Sequence, residues 1–192
     1  MAKPKIFGVG PNHTGTRSLN KALEILGYKS RHDHQANKLD LETLSFDELD
    51  AYLDGPLREK FKDLDAKYPA AKFILSTRDK ESWITSRIIH VLRNRVFADN
   101  PWTEINTWQW RREYDALHVA VPAHFAARPG KLLVVDFTKE ANPWLPLCQF
   151  LGEPIPDVLF PWWGRGTDTL RRCLVQMRAT RPPKPDKEKQ PK

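Results

Sequence analysis

The chain has 192 residues, 40% hydrophobic and 29% charged, a composition that suits one packed domain with a tail and excludes a largely disordered polymer. No apolar run approaches the ~18–20 residues of a membrane span, and two cysteines, Cys148 and Cys173, exclude a disulfide framework or a Cys-rich zinc site. The net charge is +7, of which +3 sits in the last twelve residues, so the body carries a modest cationic excess suited to an anionic ligand.

Residues 5–10 are a β-branched and aromatic run ending in glycine, which predicts a buried strand. Leu19, Ala22, Leu23 and Leu26 follow at helical spacing, with Gly27 as the stop. Residues 28–32 predict a second strand. Leu57, Phe61 and Leu64 predict one helix closed by Pro69, and residues 72–77 a third strand. Trp83, Ile84, Ile88, Val91 and Leu92 line a further helix. A long helical stretch over 100–128 is expected to be disturbed at Pro122. Residues 131–136 predict a fourth strand, and Trp144, Leu147, Cys148 and Leu151 an amphipathic helix stopped by Gly152. A Pro/Trp/Gly-rich loop then leads to a short helix near 168–178. The expectation is a single domain over 1–180 and a disordered basic tail over 181–192. With no secretory signal in the first residues, the reading is cytoplasmic.

Strands alternating with helices imply an α/β fold: three αβα layers around a mainly parallel sheet. Ligands of such sheets sit beyond the carboxyl ends of the strands. The informative residues should therefore follow Gly10, His32, Thr77 and Asp136.

The first of these loops runs Gly10-Pro-Asn-His-Thr-Gly-Thr-Arg-Ser-Leu19. A strand, a glycine-containing loop and a helix start converge free backbone N–H groups and the positive helix end on one point, which suits an anion. Thr14, Thr16 and Ser18 add hydroxyls; His13 and Arg17 add charge. A triphosphatase would place Lys and Ser/Thr after the second glycine. Here Thr16 and Arg17 stand there, which argues against ATP or GTP hydrolysis. Asp136 imitates a magnesium-binding strand-end acid, but an ordinary strand-end carboxylate explains it better. At the end of the third strand, Arg78 and, eight residues on, Ser86 could hold a second phosphate.

These motifs resemble the sulfotransferases that use 3′-phosphoadenosine 5′-phosphosulfate (PAPS). Asn12-His13-Thr14-Gly15-Thr16-Arg17-Ser18-Leu19 is similar to their x-[KR]-x-G-T-x-[SA]-L loop, with His13 in place of the basic residue. Arg78 and Ser86 match the spacing of their 3′-phosphate grip. The stretches 73–83 and 131–150 resemble compact bacterial members, and the likeness spans about residues 5–163. It implies a P-loop nucleotide-kinase-like fold, PAPS as co-substrate and no metal requirement. It also implies that 12–18, Arg78, Ser86 and a further basic contact at Arg165 bind the nucleotide, and that His13 can serve catalysis as a protonated substitute for the family's cation. The acceptor's base is expected where the second strand ends, with His32 first, Asp33 second and His34 third.

Other residues have mainly packing explanations. Trp83 could contact adenine or fill a helix face. Trp102, Trp108 and Trp110, with Arg111 and Arg112, could line an acceptor pocket or pack on the sheet. His118 and Cys148 read as structural, and Cys173 lacks an activating partner. A small-molecule or glycan acceptor ranks above nucleic acid. A kinase with an aberrant loop and a non-catalytic nucleotide or nucleic-acid binder are the competing functions. The oligomeric state is not readable.

Overall fold

A computed structural model describes residues 3–32, 48–97 and 104–163. Asp33, His34, Trp102, Arg165, Cys173, the helix expected near 168–178 and the tail lie outside them. The described residues up to Pro161 belong to one compact unit; Trp162 and Trp163 belong to a second unit, Trp162–Lys192. Among the described residues no helix is long and apolar enough to cross a membrane.

Five strands form one parallel sheet: β1 (Ile6–Gly8), β2 (Ser30–His32), β3 (Ala51–Leu53), β4 (Lys72–Ser76) and β5 (Leu132–Val135), in the order β2-β3-β1-β4-β5. Helix α1 (Thr16–Ile25) joins β1 to β2, and α2 (Phe61–Lys67) precedes β4. Helices α3 (Lys80–Phe97) and α4 (Thr107–Phe125) lie between β4 and β5, and α5 (Trp144–Leu151) follows β5. The expected αβα fold with a parallel sheet is present.

The path of the chain decides where a ligand can sit. From β1 it moves to β2 at one edge, whereas from β4 it moves to β5 at the other. The connections diverge between β1 and β4, and a crevice opens beyond the carboxyl ends of those two strands. Registers align the strand ends: Gly8 lies opposite Leu53 and Ile74, and Leu53 opposite His32. β4 runs on to Ser76, and the loop leaving β1 packs against this extension. A Cβ on Gly10 would stand 2.2 Å from Ser76 Oγ and 2.4 Å from its carbonyl oxygen, so only glycine fits there.

Alternation along the central strands fills both faces. Phe7, Phe73 and Leu75 join Leu57, Phe61, Leu64, Val121 and Phe125 in one core. Ile6, Leu53 and Ile74 are equally buried. Leu19, Ala22 and Leu23 bury the apolar stripe of α1. That helix ends in paired hydrogen bonds, Gly27 N–H to Glu24 O and Tyr28 N–H to Leu23 O, where Gly27 was the expected stop.

Four expectations need correction. β3 was not foreseen; it is three residues between Asp50 and Asp54, too short for any periodic signal. The single helix over Leu57, Phe61 and Leu64 is instead a 3-10 turn, Gly55–Arg58, followed by α2. The break falls between Arg58 and Phe61, where Lys60 takes φ −109° and ψ 13°, away from the helical geometry. Leu92, expected on the packed face of α3, is exposed, because that helix buries Trp83, Ile84 and Val91 against Trp110. Pro122 does not break α4. It falls in the last turn, where the helix continues to Phe125 and both Val121 and Phe125 anchor in the core.

At the opposite end of the sheet from the crevice, Asp65 of α2 is buried among three basic groups. His124 Nε2 lies 2.8 Å, Arg128 2.7 Å and Lys131 3.1 Å from its carboxylate. Burial by itself would raise the carboxyl, but hydrogen bonds from Arg128, His124 and Lys131 outweigh it and bring it down to about 2. The unfolded group titrates near 3.8, so folding gains stability from the ion above that value and loses it as pH falls towards 2. The difference amounts to about 2 kcal/mol. The urea midpoint of the native chain should fall across that window. Asp65→Asn should begin lower and show a shallower fall; parallel curves would refute the assignment.

Candidate functional site: two oxyanion grips at the crevice

The loop from β1 enters the crevice through two left-handed residues, His13 at φ 68° and Gly15 at φ 90°. That conformation is costly for a residue with a side chain and routine for glycine. Gly15 is the residue before α1, and no side chain caps the helix start. Leu19 N–H is the first amide to bond back to Gly15 O, so the amides of Thr16, Arg17 and Ser18 have no helical acceptor. Two of the three hydroxyls expected to point at a ligand have partners within the protein. Thr14 Oγ1 donates to Pro11 O at 2.6 Å and accepts from Ser76 Oγ at 2.8 Å, while Thr16 Oγ1 lies 3.0 Å from His32 Nε2. The crevice therefore receives main-chain amides and cationic side chains.

Helix α3 runs beside this loop. Trp83 is buried, and its indole N–H donates to Asn12 O at 2.8 Å, so it braces the loop. Two turns further along, the His90 ring meets His13 at 4.7 Å between centroids. Ser86 stands three residues after Trp83 and four before His90, hence on the same helical face. Arg93 continues that face, and its Nε is buried with no hydrogen-bond partner among the described residues. Arg87 lies between Trp83 and Trp110, 4.3 Å from the latter ring, with Glu113 3.8 Å away; burial lowers it only to about 10, so it remains a cation.

His13 is not a standing cation in the free protein. Burial, and then His90, Arg87, Arg17 and Arg78, hold its ring down at about 3. His90 is lowered too, first by burial and then by Arg93, Arg17 and Arg87. The expectation of a protonated His13 is thus revised for the unliganded state. The fixed positive charge at the loop comes from arginines, and Arg78 acts on the same ring as Arg17. Arg78, after β4, and Arg17, after β1, are thus both near enough to the His13 ring to act on it.

A network missed in the sequence holds Arg78. Tyr114 Oη donates to Arg78 O and lies 2.9 Å from Thr77 Oγ1. Thr77 Oγ1 is also 2.8 Å from His118 Nε2, and His118 Nδ1 bonds Tyr114 O at 2.7 Å. A carbonyl only accepts, so Nδ1 carries a proton and donates it to Tyr114 O. Burial holds the His118 ring below its ordinary value. Asp79 caps the start of α3 through Ser82 N–H at 2.9 Å. Together these fix the Thr77–Arg78–Asp79 corner.

On the β2 side, His32 Nε2 faces Thr16 Oγ1 and, at 3.3 Å, Asp54 Oδ2. The register that sets His32 against Leu53 brings Asp54 alongside. Asp54 was missed because it follows the unforeseen β3. Asp136 binds the backbone N–H and hydroxyl of Thr138, an ordinary turn at a strand end as expected.

An α/β sheet whose switch point carries an uncapped helix start, with arginines from two further elements near it, is a setting suited to an oxyanion. The sulfotransferase domain family matches residues 5–105 and 86–168. The chain belongs to that family. It is 27% identical over 213 aligned positions to the Ava biosynthesis cluster protein M of Aspergillus versicolor, covering 82% of this chain and 79% of that one. Its fold is similar to the crystal structure of a sulfotransferase from Alicyclobacillus acidocaldarius, with a TM-score of 0.57, 16% identity, and coverage of 93% of this chain and 92% of the other.

Proposed function

We propose that the protein transfers a sulfuryl group from PAPS to a hydroxyl or amine of a small-molecule or glycan acceptor. The observation that carries this reading is the convergence of two sets of oxyanion donors: the uncapped start of α1 with Arg17 on one side, Arg78 and the Ser86 face of α3 on the other. The donor set fits a nucleotide phosphorylated at two places. Cations crowd the crevice, α1 lacks a side-chain cap, and the buried Arg93 Nε has no partner among the described residues. The biosynthetic context in the name of the fungal relative agrees with a small acceptor.

PAPS supplies an activated sulfuryl group and a phosphate leaving group. Residues 12–18 hold the 5′-phosphosulfate, with the α1 amides aimed where charge grows on the leaving oxygen. Arg78 and Ser86 hold the 3′-phosphate, and Arg165 is a further contact proposed from the family pattern. His32 takes the acceptor's proton as the new S–O or S–N bond forms; the electron pair of the broken S–O bond stays on the 5′-phosphate. If Nε2–H points to Asp54, the basic lone pair is on Nδ1. Asp33 is the alternative base. A sulfuryl group carries less charge than a phosphoryl group, so fixed amides and arginines can do this work without a metal.

The direct test is incubation with radiolabelled PAPS and a metabolite extract. Label in a new product supports the reading. Thermal stabilisation by ATP·Mg²⁺ and none by adenosine 3′,5′-bisphosphate would replace it with a kinase.

A further prediction concerns the corner at β4. Tyr114→Phe deletes the donor to Arg78 O and should weaken adenosine 3′,5′-bisphosphate binding about fivefold, the worth of ~1 kcal/mol. Turnover at saturating PAPS should hold. An unchanged dissociation constant would show that Tyr114 does not position Arg78.

A further inference from the structure

We propose that His13 and His90 form a proton-loading anion clamp: one proton enters the pair from solvent as the phosphosulfate end of the nucleotide binds, and returns to solvent when the product leaves. The inference rests on the nucleotide reading above and adds His90 as a binding residue.

The two rings belong to different walls of the crevice. His13 lies in the loop before α1, and His90 lies on α3, one turn beyond Ser86. Their centroids are 4.7 Å apart and their planes tilt by 59°, a contact that joins the walls beside the start of α1. The charged groups that act on the pair are Arg17 from α1, Arg78 from the loop after β4, and Arg87 and Arg93 from α3. Among the described residues, the charged groups named on either ring are all basic. A proton on the pair is therefore opposed by burial and by four guanidiniums while the crevice lacks an anion.

An entering oxyanion reverses that balance. It neutralises the arginines' field and offers an acceptor to an imidazolium N–H. A second proton on a ring 4.7 Å away would repel the first, so the pair loads one. The hydrogen bonding of His90 sets where the change begins. Its Nε2 lies 3.1 Å from Asn94 Nδ2 and accepts from it, which leaves the proton on Nδ1. Loading the ring turns Nε2 into a donor and requires the Asn94 amide to present its oxygen instead. A lysine at position 13 would be a permanent cation; the histidine pair is a cation only when the ligand is present. Binding is then tighter at lower pH, and release is favoured as pH rises.

The test uses the full chain and adenosine 3′,5′-bisphosphate. Titration calorimetry near pH 7, in buffers of different ionisation enthalpy, counts the protons taken up. The expected result is an uptake of about one, with affinity falling roughly tenfold per pH unit above that point. The double variant His13→Lys, His90→Gln should bind with uptake near zero and a flat profile. Imidazole nitrogen NMR of the native chain provides a readout that needs no variant: one of the two rings should move to imidazolium values on adding the ligand. Binding with no uptake, equal uptake in the double variant, or rings that stay neutral would overturn the clamp and leave the nucleotide reading intact. No binding in any buffer would overturn the nucleotide reading itself.

Discussion

Arg78→Ala should weaken adenosine 3′,5′-bisphosphate binding roughly 30- to 150-fold, the cost of about 2–3 kcal/mol for charge-assisted hydrogen bonds to a phosphate. The guanidinium has no carboxylate within ion-pair distance among the described residues, so its removal strands no buried partner. The corner that carries it is held by backbone and by Tyr114, Thr77 and His118, none of which the substitution touches. The melting temperature without ligand should therefore stay near the native value while calorimetry reports the loss. Arg78→Lys should recover part of the affinity, because an ammonium keeps the charge but not the two-pronged geometry. An alanine variant that binds as the native chain does would remove the second grip and, with it, the case for a doubly phosphorylated nucleotide.

His32→Gln should lower turnover roughly 100- to 10,000-fold, the range associated with loss of a general base. Binding of adenosine 3′,5′-bisphosphate should be nearly unchanged, since the α1 amides and Arg78 do not depend on the imidazole. Glutamine is a better probe than alanine here. It keeps a polar group near Asp54 and Thr16, and avoids leaving the Asp54 carboxylate without its neighbour in a largely enclosed corner. Asp54→Asn should cause a smaller loss in the same parameter by freeing the ring to turn. If His32→Gln turns over normally, His32 is excluded as base and the role passes to Asp33. If affinity and turnover fall together, the residue supports the α1 wall through Thr16 instead.

The parts of the site written in contiguous residues were legible before any fold was known. Gly10, Gly15 and the run from Asn12 to Leu19 mark a strand, a loop and a helix start through backbone requirements that a short segment sets for itself. Arg78 and Ser86 were legible for the same reason, since their spacing is fixed by one strand end and one helix. Asp54, His90, Tyr114 and His118 were not. They reach the crevice through parallel register, the crossover past β1 and the packing of α3 against α4.

Local chemistry thus determined the alternation of strands and helices, the anion-binding loop and the arginine at the second strand end. Tertiary structure alone decided how the loop's hydroxyls are used, turning that of Thr14 inward to Pro11 and Ser76. It also decided that His13 is neutral in the free protein. A histidine's charge is a property of its surroundings, and here burial first, then a second imidazole and three arginines, Arg87, Arg17 and Arg78, remove the proton that its place in the motif led one to expect.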